Sequence, residues 1–202
     1  MSNQVEFKKI SSLENSYRAN FISKIREQGY ENEEYIITEK LHGASYSFTV
    51  VIENGLPVSV IPAKRSGYIN SDEKFYNHRP TYEKYEHKVG KLATALLDNN
   101  NGVVTVYGEL YGGNIQGGMV YPLEQDFAGF DITVDGTPID KRKAFSLMNE
   151  YEIPTVPVLG YAKNLSEALE CNESFTTNKL RDGFDTENPQ AEAEGIVIEP
   201  VT

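Results

Sequence analysis

The chain contains no tryptophan, one cysteine (Cys171) and three histidines in 202 residues. A single thiol permits neither an internal disulfide nor a thiolate metal cage, so a reducing compartment is the natural setting and Cys171 reads as a bystander. The histidines form no metal-type pair, and the sequence has neither a G-x-x-x-x-G-K-[ST] phosphate loop nor a strand-linked G-x-G-x-x-G. No stretch approaches the ~20 apolar residues of a membrane span. Met1 to Ile10, which carries Glu6, Lys8 and Lys9, lacks the apolar centre of a signal peptide. The expectation is a soluble, cytoplasmic protein with no membrane partner. Basic residues are scarce, 19 against 30 acidic ones, and the net charge of −11 opposes non-specific binding to a polyanion. A nucleic-acid coat protein is thereby disfavoured. An enzyme with a local basic site is not, because Lys64 to Lys91 holds seven Lys or Arg against four Asp or Glu, whereas the residues after Arg181 include six acids and no base.

With 39% hydrophobic and 24% charged residues, the chain has an ordinary globular composition, long enough for one domain that buries roughly 70% of its unfolded surface. Leu13 to Gln28 predicts a helix capped by Ser11 or Ser12 and closed by Gly29, with Leu13, Tyr17, Phe21 and Ile25 on one face. Tyr35–Thr38, Ser45–Ile52 and Val58–Ala63 predict strands, the last two forming a hairpin across Glu53 to Pro57. Thr81–Asp98 predicts a helix burying Tyr85, Val89, Leu92, Ala93 and Leu96. Strands follow at Val103–Leu110 and Phe127–Val134, then a helix capped by Asp140 and a short extended stretch, Val156–Tyr161. Leu165–Leu180 reads as helical in one or two pieces, 182–193 as a polar loop and Gly195–Ile198 as a strand. The fold class is α+β: a single domain of twisted, mostly antiparallel sheets with flanking helices.

Polar residues stand at strand ends, where an unremarkable sequence would place turn residues. Glu39-Lys40-Leu41-His42-Gly43 follows one strand, Glu109 interrupts another, Asp131 follows Phe130, and Glu194 opens the last. A lysine becomes nucleophilic only as the neutral amine, which calls for desolvation or positive neighbours. Lys64 and Arg65 are the candidates for the latter.

The order of these motifs resembles the covalent nucleotidyltransferase superfamily, whose ligase domain is ATP-grasp-like, and within it the ATP-dependent RNA ligases of the nick-sealing phage and kinetoplastid-editing type. Lys40-Leu41-His42-Gly43 is similar to the nucleophile motif, and Ala63-Lys64-Arg65-Ser66-Gly67 to the Arg motif that follows. Val106-Tyr107-Gly108-Glu109-Leu110 corresponds to the first acidic strand, Phe130-Asp131-Ile132 to the aromatic-Asp motif and Glu194-Gly195-Ile196-Val197-Ile198 to the second acidic strand. The resemblance implies attack of Lys40 on ATP to form lysyl-AMP, transfer of AMP to an RNA 5′-phosphate and sealing by a 3′-hydroxyl. It implies His42, Arg65 and Glu194 as catalytic neighbours of Lys40, and places Glu39, Leu41, Arg65, Glu109, Phe130 and Ile196 around the nucleotide. Glu109 takes the ribose and Phe130 the adenine, with Phe127 as a rival. Asp131 and Glu194 would hold Mg²⁺ or Mn²⁺, and Lys64, Arg65, Lys74 and Arg79 would line the RNA, with Tyr68, Phe75, Tyr76, Tyr82 and Tyr85 interleaved.

Three departures accompany the resemblance. Ser45 stands where the family often has Asn, and Glu199 where relatives carry Lys, removing an expected phosphate contact. A final Lys-x-Lys motif does not occur before Thr202, so residues 1–202 are expected to form the adenylyltransferase domain without it, with slow self-adenylylation and negligible sealing. Two alternatives fit the same residues: a non-catalytic module binding nucleotides or nucleic-acid ends, and a DNA ligase core, from which His42 and the short chain distinguish an RNA ligase.

Overall fold

In the computed structural model, which describes residues 5–10, 13–14 and 18–202, nine strands form two antiparallel sheets. The larger sheet has the order β4 (Gly67–Tyr68), β3 (Leu56–Lys64), β2 (Ala44–Glu53), β5 (Gly102–Tyr111), β6 (Asp126–Val134), β7 (Thr137–Pro138). Its two faces follow from simple alternation. Tyr46, Phe48, Val50 and Ile52 of β2 join Val104, Val106 and Leu110 of β5 in the main core. Ser45, Ser47 and Thr49, paired with Glu109, Tyr107 and Thr105, face the other way. Helices α2 (Arg79–Leu96) and α3 (Lys141–Glu150) cover the apolar face, burying Tyr85, Val89, Leu92 and Ala93 from one and Ala144 and Met148 from the other. Asp140 caps α3, its carboxylate accepting from the Lys143 backbone N–H at 3.0 Å.

The smaller sheet sets β1 (Tyr35–Glu39) between β8 (Val158–Ala162) and β9 (Ile196–Pro200). Every residue of β1 is buried, the apolar Tyr35–Ile37 as their run anticipates and the polar Thr38 and Glu39 beside them. Tyr35 and Ile37 pack outward against Ala162, Leu165 and Ala168, with Ile22 and Ile25 of α1 (Ala19–Glu27) closing the cluster. The short α4 (Leu165–Ala168) lies beside them, capped by Asn164.

Two expectations need correction. The first helix begins at Ala19, not Leu13. Leu13 is non-helical and 58% exposed, so it has no core to enter, and the helix keeps only the apolar positions that reach the small sheet. Ser11, Ser12 and Tyr17 lie outside the described residues. Helix also ends at Ala168 and does not run to Leu180, because other bonds, one local and the rest to distant segments, compete with it. The Asn172 side chain accepts from the Ser174 N–H, Thr176 bridges to Glu192, and Thr177 and Asn178 bond Glu39. Among the described residues no helix is long and apolar enough to cross a membrane.

One bulge matters for the site. Between β5 and β6 the register passes from Tyr107↔Asp131 to Gly108↔Gly129, leaving Phe130 without a strand partner. Gly108 allows the strands to close there: a Cβ on it would lie 2.4 Å from the Ala128 carbonyl oxygen and 2.4 Å from the Phe127 ring. Gly108→Ala is therefore expected to destabilise the fold by about 1–3 kcal/mol or more, the usual range for overpacking. Gly160→Ala, in open space on β8, is the control expected to stay within ~0.5 kcal/mol. Equal urea midpoints for both variants would overturn this account.

Candidate active site

Antiparallel pairing of β1 with β9 carries the chain from Glu39↔Ile196 to the next pair outward, where the Lys40 N–H donates to the Gly195 carbonyl at 2.9 Å. Lys40 and Glu194 thus meet across the mouth of the small sheet. The Lys40 amine is ion-paired with Glu194 Oε1, and His42 Nδ1 lies 3.3 Å from Glu194 Oε2, so one carboxylate serves both residues. The turn beneath them is held by side chains of the Gly-rich loop 112–125: the Tyr121 hydroxyl accepts from the His42 N–H at 3.0 Å, and Gln116 donates to the Gly43 carbonyl at 3.2 Å. Gly43 must be glycine, since a Cβ would stand 2.2 Å from the Leu110 carbonyl oxygen. Leu41 is buried with Tyr111, Tyr121, Ala128 and Val156, and Phe130 packs half-buried against this group.

Glu109 faces this turn from β5. Burial pushes its carboxyl up to about 7, with Glu194 adding to the rise while Lys40, the Gly43 N–H and Arg65 oppose it. Arg65 lies in the exposed turn between β3 and β4. The structure therefore brings Lys40, His42, Glu194, Glu109 and Arg65 within electrostatic reach of one another, with Leu41 and Phe130 as an apolar wall. Phe127, the rival for stacking, is fully buried in the main core with its ring against Phe48, Tyr46 and Tyr85.

Other sequence assignments are redirected. The Glu39 carboxylate accepts from Thr177, from the Asn178 N–H and from the Asn178 side chain, the last two at 2.9 Å, and its charge also acts on Tyr111 and Tyr121, which pack with Leu41. Ile196, opposite Glu39, packs into the outer cluster with Ile198, whereas Val197, one residue on, shares the face of Thr38 and Lys40. Lys64 is ion-paired with Glu73, and the partner of Lys40 is the Glu194 carboxylate. Lys74 is exposed, and Arg79 bonds the Ser71 carbonyl at 3.2 Å and stands 3.9 Å from Glu83. Of the interleaved aromatics, Tyr85 is core, Phe75 and Tyr82 pack against it, and Tyr76 is the exposed one.

The metal assignment does not fit the donors. Asp131 is ion-paired with Lys141 at 3.2 Å while Glu194 is engaged by Lys40 and His42. Among the described residues no group of three or more His, Cys, Asp or Glu could hold a metal ion. Sequence reasoning missed Tyr121, Gln116, Thr177, Asn178 and Lys141. The length and glycine content of loop 112–125 pointed to the first two, since long loops in compact domains are commonly functional. No local signal marks the others.

The model of the RNA ligase family matches residues 33–202. Solved structures of mutants of the Naegleria gruberi RNA ligase share the fold. One without ligand is 19% identical with a TM-score of 0.64, over 90% of this chain and 50% of that one. One with ATP and Mn is 20% identical with a TM-score of 0.66, over 95% and 53%. A third, with AMP and Mn, is 20% identical with a TM-score of 0.64, over 90% and 50%. The chain spans about half the length of these relatives.

Glu109 yields a test of the site's electrostatics in the free protein. A carboxyl raised from 4.5 to about 7 in the folded state favours folding fully only below its ordinary value, and that contribution is lost as pH rises through 7. Glu109→Gln removes this loss. Its stability relative to the parent is expected to improve by about 1–3 kcal/mol between about pH 5 and about pH 8. Denaturant midpoints measured at both pH values check this. A difference independent of pH would show that Glu109 is not held in a desolvated site.

Proposed function

The chain belongs to the RNA ligase family, and on that premise we propose that residues 33–202 carry out ATP-dependent lysine adenylylation as the first step in joining RNA 5′-phosphate and 3′-hydroxyl ends. The observation that carries the reading is the Lys40–Glu194–His42 group facing the half-buried Glu109. The neutral Lys40 amine attacks the α-phosphorus of ATP. A nitrogen–phosphorus bond forms, the bond to the bridging oxygen breaks, and pyrophosphate leaves with the electron pair. The lysine proton passes to Glu194, the carboxylate in contact with it. The phosphates approach Lys40 beside that carboxylate, and Arg65 reaches them from the edge.

Glu109 accepts a hydrogen bond from a ribose hydroxyl. A half-buried carboxylate with one N–H partner has acceptor capacity to spare, and such a charge-assisted bond is among the strong ones. Phe130 supplies the stacking face for adenine above Leu41, with Val197 replacing Ile196 on the opposite wall. Phosphoryl transfer asks mainly for alignment and charge neutralisation, and the donors here provide both. A divalent ion, Mg²⁺ or Mn²⁺, would supply further neutralisation of the phosphates. The N. gruberi ligase solved with ATP and Mn supports this choice of nucleotide and ion. AMP then passes to the RNA 5′-phosphate, and attack by the 3′-hydroxyl releases it. RNA lies along the side of Arg65, Lys74 and Arg79, and the reaction belongs to RNA repair in the cytoplasm.

Intact-mass analysis after incubation with ATP and a divalent ion is expected to show one added AMP on the parent chain and none on Lys40→Arg. Peptide mapping is expected to place it on Lys40. Glu109→Ala should lower the efficiency with ATP by roughly 1.5–3 kcal/mol but change little with 2′-deoxy-ATP. AMP retained without a covalent bond would favour a binding module, and an adduct on another lysine would overturn the assignment.

A further inference from the structure

Lys141 is the first residue of α3, and the functional reading leaves it unused. Its backbone N–H donates to the Val201 carbonyl at 2.8 Å, tying the helix start to the end of β9. Its Nζ lies 3.2 Å from Asp131 Oδ2 and 3.1 Å from Glu199 Oε2, and it bonds the Phe130 carbonyl at 3.4 Å. The side chains of Lys141 and Asp131 are 8% and 9% exposed. A buried cation therefore sits between carboxylates of two different sheets, one on β6 and one on β9.

The placement changes the meaning of two sequence features. Glu199 is not simply a lost positive charge, because the cation is supplied by α3. Asp131 is committed to the same ammonium. Phe130, at the bulge, lacks a register partner on β5, and its carbonyl accepts from Lys141. Burial raises the Asp131 carboxyl and the Lys141 charge counteracts this. Without the ammonium, two carboxylates would face each other in a largely dry space, which costs enough to move the strands that carry them.

We propose that Lys141 is a positioning residue that sets the spacing between the two walls of the nucleotide site, fixing the Phe130–Asp131 bulge of β6 to the strand that Glu194 leads into. The inference rests on the proposed adenylylation for its kinetic consequence. Its structural consequence is independent of it. The bulge carries the stacking ring and β9 carries Val197, so their separation governs how adenine fits, and displacement of about 1 Å is enough to change rates by ~10²-fold.

The test uses the whole chain with Lys141→Met, Glu199→Gln and the double variant Lys141→Met with Glu199→Lys. The double variant returns a cation to Asp131 from β9. Self-adenylylation is followed by intact mass across ATP concentrations, and backbone hydrogen exchange is read at residues 129–132. Lys141→Met is expected to raise KM for ATP about tenfold or more while kcat falls less, and to speed exchange at 129–132. Glu199→Gln, which keeps the Lys141–Asp131 pair, should do the same to a smaller extent and guards against a Lys141→Met protein that fails to fold. The double variant should return both readouts towards the parent. A lower melting temperature with unchanged KM and unchanged exchange at 129–132 would mean a purely structural role and overturn the proposal. If the parent chain takes up no AMP, the functional reading fails, and exchange at 129–132 still decides whether Lys141 holds the bulge.

Discussion

The antiparallel register of β1 on β9 is the constraint on which the rest of the site depends. It joins residues about 150 positions apart, and the bond from the Lys40 N–H to the Gly195 carbonyl fixes where the lysine leaves its strand. A one-residue slip would turn Lys40 to the side occupied by Glu39 and bring Glu39 to the mouth. That slip is opposed on both faces. Tyr35 and Ile37 are packed outward, Ile36 and Thr38 are buried on the other side, and Glu39 is anchored by Thr177 and Asn178. The Glu39 anchor and the Lys40–Glu194 pair are consequences of the same register.

Charge in this protein is organised by pairing more than by sign. A net charge of −11 gives no general attraction for nucleotide or nucleic acid, and several cations are held by carboxylates: Lys40 meets Glu194, Lys64 meets Glu73, and Lys141 meets both Asp131 and Glu199. The pairs differ in what they can exchange. Lys40 and Glu194 are each about a third exposed, so the two can part without opening the core. Lys141 and Asp131 are shut away, where separation of the charges would be far more costly. One pair can exchange partners with solvent and the other cannot. Glu109 lies between these cases, desolvated enough to resist ionisation and near enough to Lys40 and Arg65 to be drawn back towards it.

Much of the fold was legible because each long element buries one face against a partner that its own pattern demands. The alternation Tyr46, Phe48, Val50, Ile52 and the helical spacing Tyr85, Val89, Leu92 state their periods directly, and the structure places all of them in the main core. The segment Leu165–Leu180 was misread for the converse reason. Its composition allows a helix, but beyond Ala168 the hydroxyl and amide groups of Thr177 and Asn178 find a carboxylate on β1, a partner distant in sequence. Aromatic residues around α2 were read as a possible RNA track because bases lie among them, yet helical spacing turns Tyr85 inward and leaves the charges outside.

By itself the sequence determined most of the elements, their amphipathic faces and the positions where polar groups sit at strand ends, because these depend on local period and turn chemistry. Lys40, Glu109 and Glu194 could be singled out on that basis together with a family resemblance. Which side of a strand each residue faces, and which cation meets which carboxylate, was decided only by the tertiary structure. Ile196 and Val197 are neighbours of similar chemistry, and pairing with β1 alone assigns one to the outer cluster and the other to the face of Lys40. The bulge at Phe130 and the seat of Lys141 between two sheets arise from strand register and helix docking. No local pattern encodes these, since they are set by contacts between segments far apart along the chain.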